Sequence, residues 1–121
     1  MQSFEVIFYQ KDNGEEPVKE FILSLDVKMR AKVARSISIL ERNGTKLREP
    51  FSKYLGDGIF ELRISFSSDI SRIFYFFFSG KRIILTNGFI KKTQKTPQSE
   101  IDKAIRYKKD YISRRNNFNG N

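Results

Sequence analysis

IFELRISFSSDISRIFYFFFSGKRIILTNGFI, residues 59–90, is the stretch that decides the fold. In Ile59–Phe66 the apolar Phe60, Leu62, Ile64 and Phe66 alternate with Glu61, Arg63 and Ser65. That period of two predicts a strand with one apolar face. Ser67-Ser68-Asp69 reads as a turn. Ile70–Phe78 then carries six apolar or aromatic residues in succession, Ile73 to Phe78, which fits a central strand covered on both faces. Ser79-Gly80 is a hairpin turn and Arg82–Ile90 the last strand. Consecutive strands joined by turns this short predict an antiparallel meander.

Upstream, Ser52–Leu55 is a short strand broken by Gly56-Asp57-Gly58. Further back the period lengthens. Val18, Phe21, Ile22 and Leu25 make a helical stripe that opens at Pro17, with Glu15 and Glu16 near its positive end. Asp26 can cap a second helix with Met29, Val33, Ile37 and Leu40 on its buried side, ended by Asn43-Gly44. Residues 3–9 are rich in β-formers and predict an opening strand, followed by a turn at Asp12-Asn13-Gly14. Downstream, Thr96-Pro97 reads as a cap and first residue of a final helix, buried through Ile101, Ala104, Ile105, Tyr111 and Ile112. The order is β-α-α-β-β-β-(β)-α, an α+β domain: an antiparallel sheet with an N-terminal helical hairpin and a C-terminal helix. Residues 1–115 form one domain, and 116–121 are expected to be a frayed tail.

The 121 residues include 23 Lys and Arg against 14 Asp and Glu, a net charge of +9, and no His, Cys or Trp. Those absences exclude a Cys/His zinc site, a disulfide framework and a Ser–His or Cys–His nucleophile. No apolar run is long enough to span a bilayer, and Met1-Gln2-Ser3-Phe4-Glu5 has no basic n-region or h-region, so a cytoplasmic protein with no membrane partner is expected. Of the +9, residues 1–50 carry +1, residues 51–90 carry +2 and residues 91–121 carry +6. A polyanion partner fits that bias, and so does a solvated basic helix.

Positions that break their local pattern are the candidates for chemistry. Glu61 and Arg63 leave one face of their strand together. A two-residue turn at Ser67–Asp69 would set Arg63 beside Arg72 on the next strand, whereas a three-residue turn would put them on opposite faces. Paired guanidinium forks suit a phosphate clamp. The other reading is a salt-bridge cluster in which Glu61 neutralises Arg63. After the last strand, Lys91, Lys92, Thr93 and Lys95 form a basic loop able to track an RNA backbone next to a helix N-terminus, or to be a solvated turn. Of Phe66, Phe74, Tyr75, Phe76 and Phe89 most must be core, while an open one could stack on an unpaired base.

Glu61-Leu62-Arg63, the Arg72–Tyr75 strand and Phe89-x-Lys-Lys-Thr-x-Lys-Thr-Pro97 together resemble the RelE/ParE toxin superfamily. They are most similar to its HigB-type, phage-derived branch, over roughly residues 3–115. The resemblance implies a type II toxin–antitoxin toxin: a metal-independent, cofactor-free mRNA interferase that cuts mRNA on the ribosome through attack of a 2′-OH, leaving a cyclic phosphate. It also implies neutralisation by a helix-turn-helix antitoxin, with operator DNA bound only through the antitoxin complex. By the same resemblance Arg72 and Arg63 would hold the phosphate, with Lys91 or Lys92 as the basic residue after the last strand. Glu61, or alternatively Lys53, stands where a base would be needed. The histidines of another HigB branch and the C-terminal tyrosine of RelE-type toxins have no counterpart. A ParE-like inhibitor of DNA gyrase and a non-catalytic nucleic-acid-binding module are the alternatives on the same fold.

Overall fold

The computed structural model describes residues 4–119. Its elements are β1 (Glu5–Phe8), α1 (Pro17–Leu23), α2 (Val27–Asn43), a 3-10 turn (Gly44–Lys46), β2 (Ser52–Gly56), β3 (Ile59–Phe66), β4 (Asp69–Phe78), β5 (Arg82–Ile90) and α3 (Gln98–Asn119). Local chemistry accounts for most of these boundaries. Pro17 opens α1, and the Asp26 carboxylate accepts the Met29 amide to start α2. Gly44, at φ 52°, closes α2, where an added Cβ would collide with the Phe4 ring.

The strands lie in the order β1-β5-β4-β3-β2. β2 to β5 form the antiparallel meander, so β4 is central, as its unbroken apolar run requires. The sheet as a whole is mixed rather than antiparallel, because β1 pairs with β5 in parallel, from Glu5↔Arg82 to Phe8↔Leu85. The helical hairpin carries the chain from β1 to the far edge, and the meander then returns to β1. This pairing joins residues nearly eighty positions apart, and no local pattern encodes it.

Three layers result. Val18, Met29, Val33 and Leu40 of the helical hairpin pack on Leu62, Ile64, Ile73 and Tyr75. On the other face, Ala104 and Tyr111 of α3 pack on Ile59, Phe74, Phe76 and Ile84. Each fully buried aromatic or branched side chain contributes roughly 1.5–3 kcal/mol of hydrophobic free energy.

Two expectations about α3 change. The first helical residue is Gln98, and the carbonyl of Pro97 accepts the opening amide bonds from Glu100 and Ile101. Thr96 does not cap the helix: its hydroxyl is turned to a carboxylate in the sheet. The helix also continues to Asn119, so residues 116–119, expected as a frayed tail, have helical backbone. Residues 120 and 121 lie outside the described residues. Among the described residues, no helix is long and apolar enough to cross a membrane.

Candidate anion-binding site

The β3–β4 connection is a two-residue turn, Ser67-Ser68, with Ser67 in the left-handed region at φ 57° and Phe66 paired to Asp69. Its length matters because β4 is apolar on both faces, so hydrophobic patterning alone does not choose the register. The turn does, and it places Arg63 directly opposite Arg72, with Phe89 next in the row on β5. Guanidiniums on directly paired positions repel each other.

Glu61 offsets that repulsion. Its side chain is 1% exposed, and Oε1 accepts from Arg63 Nε at 3.2 Å while Oε2 lies 3.6 Å from Arg72 Nε. Oε2 also accepts the Thr96 hydroxyl at 2.9 Å. The cross-strand ion cluster is thus formed, with two guanidiniums sharing one buried carboxylate. Glu49, on the surface, reaches Arg63 at 3.5 Å. Arg72 is 8% exposed, and its buried Nε has no hydrogen-bond partner among the described residues. Burial pushes its pKa below the ordinary guanidinium value. Glu61 opposes that shift and Arg63 adds to it. Arginine stays charged at any physiological pH, so two fixed cations flank the one buried carboxylate.

The position of Thr96 follows from an irregularity in β5. The β4–β5 register shifts between Ile73↔Gly88 and Tyr75↔Leu85. At this bulge the Asn87 amide donates to the Glu100 carbonyl and carboxylate, at 3.2 and 3.0 Å. The first turn of α3 is thereby pinned to the sheet, with Thr96 two residues upstream of it beside Glu61. Bulges that re-aim side chains are common next to functional sites.

Arg72 also lines an open cleft of about 610 Å³ together with Ser68, Asp69, Lys91, Lys92 and Thr93. The structure therefore brings Glu61, Arg63 and Arg72 together and sets Lys91, Lys92 and Thr93 alongside. The Thr93 hydroxyl is engaged with the Lys95 carbonyl at 2.7 Å, and the exposed Lys95 side chain does not line the cleft. Lys53 pairs with Glu61 in register on β2 but lines a separate groove at the sheet edge. Of the five aromatics singled out from the sequence, Phe74, Tyr75, Phe76 and Phe89 are buried and Phe66 is exposed.

Three contributors were not visible as site residues in the sequence: Thr96, Asn87 and the residues of α2. Asn87-Gly88 inside a strand was the available sign of a bulge. Arg35 and Lys32 belong to a helix 28 and more residues before Arg63, and line a second cleft of about 310 Å³ with Arg63 and Arg72.

The five-stranded sheet between a helical hairpin and a single long helix fits the α+β architecture of the RelE/ParE fold. The model for phage-derived Gp49-like proteins (DUF891) matches residues 20–109, and the chain belongs to that family, a HigB-like toxin family. Comparison with curated proteins gives no match. Membership of a toxin family implies an antitoxin partner.

Proposed function

We propose that the protein is a ribosome-dependent mRNA endoribonuclease that blocks translation and is neutralised by a small helix-turn-helix antitoxin. The observation that carries this reading is the direct pairing of Arg63 with Arg72 beside a cleft that also holds Lys91 and Lys92. The two guanidiniums grip the non-bridging oxygens of the scissile phosphate. As the 2′-oxygen attacks, the 2′-O–P bond forms, the P–5′-O bond breaks and charge grows on those oxygens. Fixed cations aimed at such charge typically supply a factor of 10²–10³ each. Lys92 protonates the leaving 5′-oxygen, and Lys91, Lys95 and Thr93 hold the flanking backbone. Lys53, in its separate groove at the sheet edge, takes no part in that contact.

Glu61 reaches substrate only through its neighbours, since one oxygen is on Arg63 and the other on Thr96. We assign it the orientation of the arginines, with the 2′-OH proton passing to water and much of the rate coming from alignment of the mRNA on the ribosome.

The test is primer-extension mapping of cleavage on translating ribosomes with purified protein. Arg72→Ala is expected to lower the cleavage rate by about 10²-fold or more and to abolish growth inhibition while the protein stays folded. Full activity in a folded Arg72→Ala protein would overturn the assignment. Induction of a DNA-damage response without mRNA loss would point to gyrase inhibition instead.

A further inference from the structure

We infer that the stripe Lys28, Lys32 and Arg35 on α2, with Phe51 and Phe66 at its borders, is a second arm of the RNA track and binds nucleotides flanking the scissile phosphate. The inference rests on the nuclease reading for the identity of the central phosphate. Its own evidence is separate. The three cations are spaced i, i+4, i+7, so they share one helix face. None of them enters an ion pair among the described residues.

Continuity sets the occupant. One cleft of about 380 Å³ is lined by Lys28, Lys32, Arg35 and Phe66. The next, of about 310 Å³, shares Lys32 and Arg35 with it and adds Phe51, Arg63 and Arg72. The third shares Arg72 and adds Lys91 and Lys92. Adjoining clefts thus run from α2, past the paired arginines, to the loop after β5, with a cation in every one. A polyanion with a charge per nucleotide fits a path of this kind, and single-stranded RNA adds bases that need a surface to stack on. Phe51 is 54% exposed and Phe66 38%, whereas Phe74, Tyr75 and Phe76 on β4 and Phe89 on β5 are buried. Exposed rings beside unpaired cations are the combination that single-strand binders use. An acidic protein segment would satisfy the cations but has no need of the rings.

The experiment uses the full chain and an eight-nucleotide, 2′-O-methylated RNA, which binds but cannot be cut, followed by fluorescence anisotropy across a salt series. Lys28→Gln/Lys32→Gln/Arg35→Gln is expected to weaken binding and to reduce the slope of log K against log salt by about 2, since each phosphate contact on a single strand contributes roughly 0.7. Phe51→Ala is expected to weaken binding by about tenfold with the slope unchanged, the signature of lost stacking. Shortening the RNA to four nucleotides centred on the arginines should erase most of the difference between wild type and the triple variant. An unchanged slope in the triple variant, with its melting temperature intact, overturns the inference. So does a triple variant that keeps RNA affinity and loses only antitoxin binding, which would make the stripe a protein-docking surface. RNA binding with the predicted slopes but no cleavage on ribosomes would instead refute the nuclease reading and leave the track standing.

Discussion

Glu61→Gln removes one charge from the centre of the arginine pair and almost no volume. The carboxylate makes two close approaches, 3.2 Å to Arg63 and 3.6 Å to Arg72. At an effective dielectric constant near 20, each is worth roughly 4 kcal/mol of Coulomb attraction. Against that stands the desolvation of the carboxylate, several kcal/mol, which the substitution relieves. Arg63 is partly exposed, so solvent screens its share. The net expectation is a loss of about 2–3 kcal/mol, or about 8–12 °C in Tm for a domain of this size. Inorganic phosphate should restore part of the loss, because an anion that binds only the folded state stabilises it by RT ln(1 + [L]/Kd), and Glu61 no longer competes for the guanidiniums. The assays are calorimetric melts with and without phosphate, together with the pH–rate profile of cleavage. A positioning role predicts a lower rate with the profile unchanged in shape, whereas a general base predicts loss of its acidic limb. A variant that melts within about 2 °C of wild type, with phosphate acting equally on both, would refute the account of the cluster.

Thr96→Val, which deletes the hydroxyl donated to Glu61, should cost about 1–2 kcal/mol in denaturant unfolding and lower cleavage, with Thr96→Ser close to wild type in both. Tyr9 donates to Asp110, and burial followed by that hydrogen bond pushes its pKa up to about 12 from 10.0. The folded state therefore keeps a proton that the unfolded state releases. This stabilisation is complete below pH 10 and falls as pH rises from 10 towards 12, by roughly 1–2 kcal/mol. Tyr9→Phe should flatten that part of the stability curve in alkaline melts. Gly88→Ala would set a Cβ 2.5 Å from the Phe21 ring. It is expected to cost about 1–3 kcal/mol by overpacking, read as a lower midpoint in urea.

Where the chain's own neighbours determine structure, the sequence was enough. β3 and β5 begin and end where their alternation and turn residues place them, and Asp26 caps α2 as its position suggested. The pairing of Arg63 with Arg72 is conditional in the sequence, because it depends on turn geometry. The two-residue turn satisfies that condition. Contacts between distant segments were not legible. Thr96 looked like a helix cap because Thr-Pro usually marks one, yet Glu61, 35 residues earlier, takes its hydroxyl. The parallel seat of β1, and the approach of Lys32 and Arg35 to the arginine pair, depend on layers that form only when the whole domain packs. Most of the excess charge lies in residues 91–121, yet Lys32, Arg35, Arg63 and Arg72, which line one cleft together, come from α2, β3 and β4.

The Ser67-Ser68 turn gives the site an unusual kind of address. Inserting a single residue there would leave Arg63 and Arg72 in the chain unaltered. A one-residue slip of β4 against β3 would send Arg72 to the opposite side of the sheet, away from Glu61. The site is then inherited through the length of a loop as much as through the identity of its residues. Chains aligned by their arginines alone would pass over a change that takes it apart.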